Sequence, residues 1–235
     1  MTNLFIYAHR GASAEAPENT LAAFRRALET GADGIELDIQ LSRDGVPFII
    51  HDETLERTTD GTGTVAQATA EVLRTLDAGS WFDPGFAGEP PPTLEAALQL
   101  LAGRLRINIE IKDARAGRAV LDLLRQFPRA EVVVSSFNHG LLALLRRVAP
   151  DLPLAVLQDA GDWRRALARA ESLQACAFHP HVDLVNRPLM AACRRLRLPV
   201  FPWTVDDPSR ARALARIGVA GLFTNDQAGL RTLRL

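Results

Sequence analysis

The chain has 235 residues, 47% of them hydrophobic and 23% charged, with a formal net charge of −1. That length suits one large α/β domain or two small ones, and so even a charge balance offers no footprint for nucleic acid. No apolar run is long enough to span a bilayer, and Cys176 and Cys193 lack metal-knuckle or redox spacing, so both read as buried free thiols.

Met1-Thr2-Asn3-Leu4 carries neither a basic stretch nor a long apolar core, so no leader is expected and the protein reads as cytoplasmic. Residues 4–8 form the first predicted strand and run into His9-Arg10-Gly11, where Gly11 and the small residues after it let the chain turn away sharply. Pro17-Glu18-Asn19-Thr20 then opens a helix over 21–30, with Asn19 or Thr20 as its N-cap and Gly31 as its stop.

The next run, 34–41, alternates Ile35, Leu37 and Ile39 with Glu36, Asp38 and Gln40, the pattern of a strand. Carboxylates two residues apart share one face, about 6.6 Å apart along the strand. In an enclosed site they repel unless a proton or a cation intervenes. A solvent-facing edge strand would also carry such a pair, but the sequel argues for a site. Asp44-Gly45 is a hairpin signal, and the returning run 48–50 delivers His51 beside the acids.

Residues 42–92 lack a strand-helix rhythm and read as an insertion or lid: the hairpin, a Thr- and Gly-rich turn at 58–64, a short helix near 69–76, and the aromatic turn holding Trp81, Phe82 and Phe86. Trp81 and Phe82 suit a lid or the insertion's own core equally. Thr93 caps a helix over 94–101. Strands follow at 106–112, 131–135, 154–157, 175–178, 200–204 and 221–224, and helices at 117–126, 141–148, 163–170, 187–196, 208–217 and from 226. Eight strands each followed by a helix predict a single (β/α)₈ TIM-barrel domain over 1–235, with the small insertion after the second strand. A doubly wound open sheet is the other α/β possibility, disfavoured because no Gly-rich dinucleotide fingerprint follows the first strand.

Barrel chemistry sits at the C-terminal ends of the strands. His9 and Arg10 end the first strand, Glu36 and Asp38 lie late on the second, and Glu110 and Lys112 share a face at the end of the third. Lys112 is the only lysine in a chain otherwise served by arginine, as though a compact point charge were needed there. Glu36, Asp38 and Glu110 make an oxygen-rich set for a hard cation, Mg²⁺ or Ca²⁺, where zinc would recruit more histidine or thiolate. A metal-free network neutralised by Arg10 and Lys112 is the other reading. His9 and His51 suit acid–base work or metal ligation, and Arg10 and Lys112 an anionic group such as phosphate. Trp203 reads as a wall of the substrate pocket or as core. His139, His179 and His181 read as structural, with His179 least securely so because it follows the predicted strand end.

His9-Arg10-Gly11, Pro17-Glu18-Asn19-Thr20, Glu36-Leu37-Asp38, Asp44-Gly45 with His51-Asp52, Glu110-Ile111-Lys112 and Trp203-Thr204-Val205 together resemble the glycerophosphodiester phosphodiesterase family, and its short cytoplasmic bacterial members most. The resemblance implies metal-dependent hydrolysis of a small glycerophosphodiester to sn-glycerol 3-phosphate and an alcohol. It further implies Glu36, Asp38 and Glu110 as metal ligands, His9 as proton acceptor, His51 as donor, and Arg10 and Lys112 on the phosphate. Phe223-Thr224-Asn225-Asp226 stands where many relatives have Thr-Asp, a change expected to matter little because either residue can cap the last helix. Lysophospholipase D-like action on acylated substrates, approached through the Trp81-Phe82-Phe86 cluster, is an alternative. A non-catalytic glycerol-phosphate-binding protein is another, disfavoured by the paired histidines.

Overall fold

The computed structural model describes residues 4–231; Met1, Thr2 and Asn3, part of the leader argument above, lie outside the described residues. Phe5–Ala8 (β1), Leu21–Glu29 (α1), Gly34–Leu41 (β2) and Pro47–Ile49 (β3) come first, followed by the helices Ala70–Leu73 (α2) and Leu94–Leu101 (α3). The chain then alternates through Arg106–Ile111 (β4), Gly117–Leu124 (α4), Val132–Ser136 (β5), His139–Val148 (α5), Leu154–Gln158 (β6), Trp163–Ser172 (α6), Ala177–Pro180 (β7) and Arg187–Arg195 (α7). Pro208–Ile217 (α8), Gly221–Thr224 (β8) and Gln227–Arg231 (α9) complete it.

The strands run in the order β7-β6-β5-β4-β2-β1-β8, parallel throughout, with β3 antiparallel on β2. Residues 200–205 close the ring. The Phe201 amide donates to the Phe178 carbonyl (2.9 Å) and that of Trp203 to Pro180 (3.1 Å), while on the other side Ala220 donates to Val200 (2.9 Å) and Phe223 to Pro202 (3.0 Å). The expected strand at 200–204 is therefore extended and paired on both edges, yet it carries only isolated bridges, because Pro202 has no N–H to give the ladder. The (β/α)₈ barrel holds.

Alternation along the strands builds two layers. Ile35, Leu37, Ile39, Ile107, Ile109 and Ile111 point outward under the helices, into a core shared with Phe24, Leu94, Leu98 and Leu101, all essentially without exposure. Tyr7, Ala155, Ala177, Phe201 and Phe223 fill the lower barrel interior, with Tyr7 stacked on Phe223 at 4.8 Å. The insertion owns a third cluster, Phe48, Ile50, Leu55, Val65, Ala70 and Leu73, so it is a packed cap on the barrel. Side-chain caps fix the helix starts: Thr20, Thr69, Thr93, Asn138, Asn186 and Asp207 each accept a backbone N–H of the first turn.

Two expectations need correction. β7 begins two residues later than predicted and includes His179, which is buried, its ring against Phe201 and Phe223; burial lowers its pKa to about 3, so it is a neutral core residue. Cys193 is buried, but Cys176 is exposed, since it precedes β7 at the barrel's lower edge. Among the described residues no helix is long and apolar enough to cross a membrane.

Candidate active site

Parallel register brings the acids together. Asp38 on β2 lies directly opposite Glu110 on β4, and Glu36 opposite Asn108. Neighbouring strands are about 4.8 Å apart and Glu36 sits two residues below Asp38 on the same face, so three inward carboxylates must meet. Their nearest oxygens all lie within 4.8 Å of one another, and all three residues are buried. Burial, together with the charges of Asp38 and Glu110, pushes the Glu36 carboxyl well above the ordinary carboxylate range. Burial and the Asp38 charge push Glu110 up to about 7. Asp38 moves the other way: burial opposes its ionisation, but Arg10 and Lys112 outweigh burial and hold it low.

Arg10 leaves β1 in the left-handed region (φ 59°), and Gly11 follows at φ 81°, where a Cβ would stand 2.7 Å from that of Ala23. This turn aims the Arg10 amide at Glu36 Oε2 (2.9 Å), its Nε at Asp38 Oδ2 (3.3 Å) and its Nη1 at Glu18 Oε1 (2.8 Å). Lys112 Nζ stands 2.9 Å from Glu110 Oε1, 3.7 Å from Asp38 Oδ1 and 3.1 Å from His51 Nε2. His9 Nε2 is 3.9 Å from Glu36 Oε2, and burial, aided by the Arg10 charge, lowers the His9 pKa to about 4. His51 Nδ1 is 2.6 Å from Asp52 Oδ1. The two imidazoles flank the acids, one beside Glu36 and the other beside Lys112.

A cavity of about 130 Å³ lies among these groups, walled also by Asn108, Phe137 and Trp203. Trp203 lies on the cavity wall, its ring near-perpendicular to that of Phe137 with centroids 5.6 Å apart, and its Nε1 donates to the His179 carbonyl (2.9 Å) below. A larger hollow of about 570 Å³ opens at the opposite end of the barrel, where the strands begin, but its lining holds none of the three acids. Trp81, Phe82 and Phe86 pack on one another within the insertion and do not line the site cavity. His139 Nε2 donates to the Leu157 carbonyl (2.9 Å), and His181 caps a short turn by accepting from the Asp183 amide.

Several supporting residues were invisible as such in the sequence. Asn19, expected as a possible cap, instead takes φ 58° and donates from Nδ2 to Asp38 Oδ2 (2.9 Å), leaving the cap to Thr20. Arg57, from the insertion, grips Glu18 through both terminal nitrogens (2.9 and 2.8 Å) and Asp52 through Nε (2.5 Å), so one guanidinium ties the partner of Arg10 to the partner of His51. Asn225 does not cap α9; Asp226 does, accepting from Gly229 N (2.8 Å), while Asn225 Oδ1 faces His9 Nδ1 at 2.8 Å. The cap is kept by one of the two residues expected for it, and Asn225 makes in addition a contact with His9 that the cap reading did not include.

The donor set fits a divalent cation. Asp38 Oδ1 is buried without a hydrogen-bond donor, and Glu110 Oε1 meets the lysine charge without an aligned hydrogen bond. Ionising all three buried carboxylates together would leave them one charge in excess of Arg10 and Lys112, which is why Glu36 and Glu110 hold their protons here and why a hard cation in this all-oxygen set would release them.

Residues 9–228 match the Glycerophosphoryl diester phosphodiesterase family. A glycerophosphodiester phosphodiesterase of Caldanaerobacter subterraneus subsp. tengcongensis is 39% identical over 238 residues, covering 97% of this chain and 96% of that protein. Among solved structures, a phosphodiesterase from Oleispira antarctica in complex with the product sn-glycerol-3-phosphate superposes with a TM-score of 0.91 at 29% identity, over 97% of this chain and 95% of that one. The glycerophosphodiester phosphodiesterase from Agrobacterium tumefaciens superposes at 0.86 with 34% identity, over 99% and 100%.

Proposed function

The chain belongs to the glycerophosphoryl diester phosphodiesterase family, and on that premise we propose that it hydrolyses small glycerophosphodiesters to sn-glycerol 3-phosphate and an alcohol, in the cytoplasm, as one domain over 1–235. The observation that carries this reading is the compact set of three buried carboxylates bracketed by two imidazoles and two fixed cations. Glu36, Asp38 and Glu110 would hold Mg²⁺ or Ca²⁺, which when bound polarises a phosphoryl oxygen as a Lewis acid.

Arg10 and Lys112 take the non-bridging phosphate oxygens. Lys112 exchanges its hydrogen bond to His51 Nε2 for one of them, which frees that nitrogen for the departing oxygen. His9, neutral down to about pH 4, removes the proton of the nucleophile through Nε2. His51, held at Nδ1 by Asp52, takes up a proton from solvent at the freed Nε2 and, as the imidazolium, gives it to the departing alkoxide. Trp81, Phe82 and Phe86, the apolar approach an acylated substrate would use, do not line the cavity, which favours a deacylated substrate.

Release of sn-glycerol 3-phosphate from glycerophosphocholine tests the proposal, with Mg²⁺, with Ca²⁺, after chelation and after re-addition, alongside the acylated analogue. Activity that disappears with chelator and returns with cation is expected; no product under either saturating cation sinks the reading. Arg57→Ala is expected to lower kcat by about 10–100-fold, because Asp52 and Glu18 lose their common anchor. An unchanged kcat would reduce Arg57 to a surface ion pair.

A further inference from the structure

His9 is tied by its main chain to the loop after β8, its amide donating to the Thr224 carbonyl at 2.9 Å. Its ring is held by the same loop, at Asn225 Oδ1. Which way the Asn225 amide faces is settled by its other partner. Asn225 Nδ2 lies 2.8 Å from Asp206 Oδ2, and the Asn225 backbone N–H and the Thr224 hydroxyl both donate to Asp206 Oδ1, each at 2.8 Å. A carboxylate only accepts, so the NH₂ end of the amide faces Asp206 and the oxygen faces His9. Ser13 Oγ also approaches that oxygen, at 3.1 Å, while its other contact is the His9 carbonyl at 2.8 Å.

An amide oxygen is an acceptor without exception, so His9 Nδ1 must present a hydrogen to it. The opposite tautomer would set a nitrogen lone pair against the oxygen lone pairs at 2.8 Å. Nε2, the nitrogen facing Glu36 and the cavity, is then the one with the free lone pair. We propose that Asp206 and Asn225 form a positioning pair that fixes His9 in the Nδ1–H tautomer, so that Nε2 stands ready to accept the proton of the nucleophile. This rests on the reading of His9 as proton acceptor. The arrangement needs an asparagine specifically: an aspartate at 225 could accept from Nδ1 but would face the Asp206 carboxylate, whereas an amide accepts on one side and donates on the other.

The test is a set of full-length variants assayed with cation, and examined by ¹⁵N NMR of the imidazole. Asn225→Leu removes the acceptor and is expected to lower kcat about 10–100-fold with KM unchanged, and to move the His9 hydrogen from Nδ1 to a mixture of tautomers. Asn225→Asp alone is expected to lose activity by a similar factor. Adding Asp206→Asn to it restores the alternation of donor and acceptor, so the double variant should regain most of the kcat, an outcome that loss of folding cannot imitate. Wild-type kcat in Asn225→Leu, an Nδ1–H signal that persists there, or no rescue in the double variant overturns the pair's role. His9→Ala separates the two levels: if it is inactive while Asn225→Leu is unaffected, only the positioning claim fails, and if it turns over normally, the assignment of His9 fails and the pair's role with it.

Discussion

Glutamine in place of Glu110 is expected to stabilise the metal-free protein at neutral pH while removing most of its turnover. The folded state raises the Glu110 pKa from 4.5 to about 7, through burial and the neighbouring Asp38 charge, so the native protein holds this proton more tightly than the unfolded chain does. Below pH 4.5 the carboxyl is protonated in both states and costs nothing. Between pH 4.5 and about 7 the unfolded chain gives up this proton while the folded state keeps it, so stability is lost across that interval and the loss is complete once the folded carboxyl ionises in its crowded anionic site above about 7. The thermal midpoint of the metal-free wild type should therefore fall across that window, and Glu110→Gln should flatten the fall.

Adding Ca²⁺ or Mg²⁺ at a hundredfold excess over Kd should restore about 2.7 kcal/mol to the wild type, roughly 5–10 °C in midpoint for a chain of this size. The variant should gain much less. Its turnover should drop on the order of 10²–10³-fold, the usual cost of losing one group that stabilises developing charge. Differential scanning fluorimetry across pH, with and without cation, reads the first part; a wild-type midpoint indifferent to both cations would remove the cation site from the account.

The acids were legible in the sequence because a strand's period is two: Glu36 with Asp38, and Glu110 with Lys112, declare their common faces in any one-dimensional reading. Parallel order then does the rest, since adjacent β2 and β4 put Asp38 opposite Glu110. His51 was legible through its hairpin, whose turn fixes the return of the chain beside β2. The supports were not. Arg57 reaches Glu18 across 39 positions and Asn225 reaches His9 across 216, contacts that no local period encodes. The link from Asn225 to His9 is hidden in the sequence because an asparagine near a helix start has an ordinary local use as a cap, which Asp226 fills instead. At the seventh barrel position the apolar run is strand-like, but Pro202 withholds a ladder hydrogen bond that hydrophobicity does not register.

His51→Ala is expected to lower turnover by about 10²–10⁴-fold on a diester whose leaving group is an alkyl alcohol, and far less on one that releases p-nitrophenol. The asymmetry follows from what a proton donor supplies. An alkoxide is a poor leaving group unless it is protonated as the P–O bond breaks, whereas p-nitrophenolate departs stably as the anion. Asp52 Oδ1, 2.6 Å from Nδ1, accepts that nitrogen's hydrogen and is itself held by Arg57, so Nε2, once released by Lys112 and protonated, is the position that gives a proton away. His9→Ala must behave differently. Activation of the nucleophile is required whichever group departs, so both substrates should lose comparable rate. Crossing the two variants with the two leaving groups thus assigns the roles by pattern: a loss confined to the alkyl substrate belongs to the donor and an even loss to the acceptor. Equal losses in both variants would reduce the histidines to a shared electrostatic role, and a leaving-group effect in His9→Ala instead would exchange their assignments.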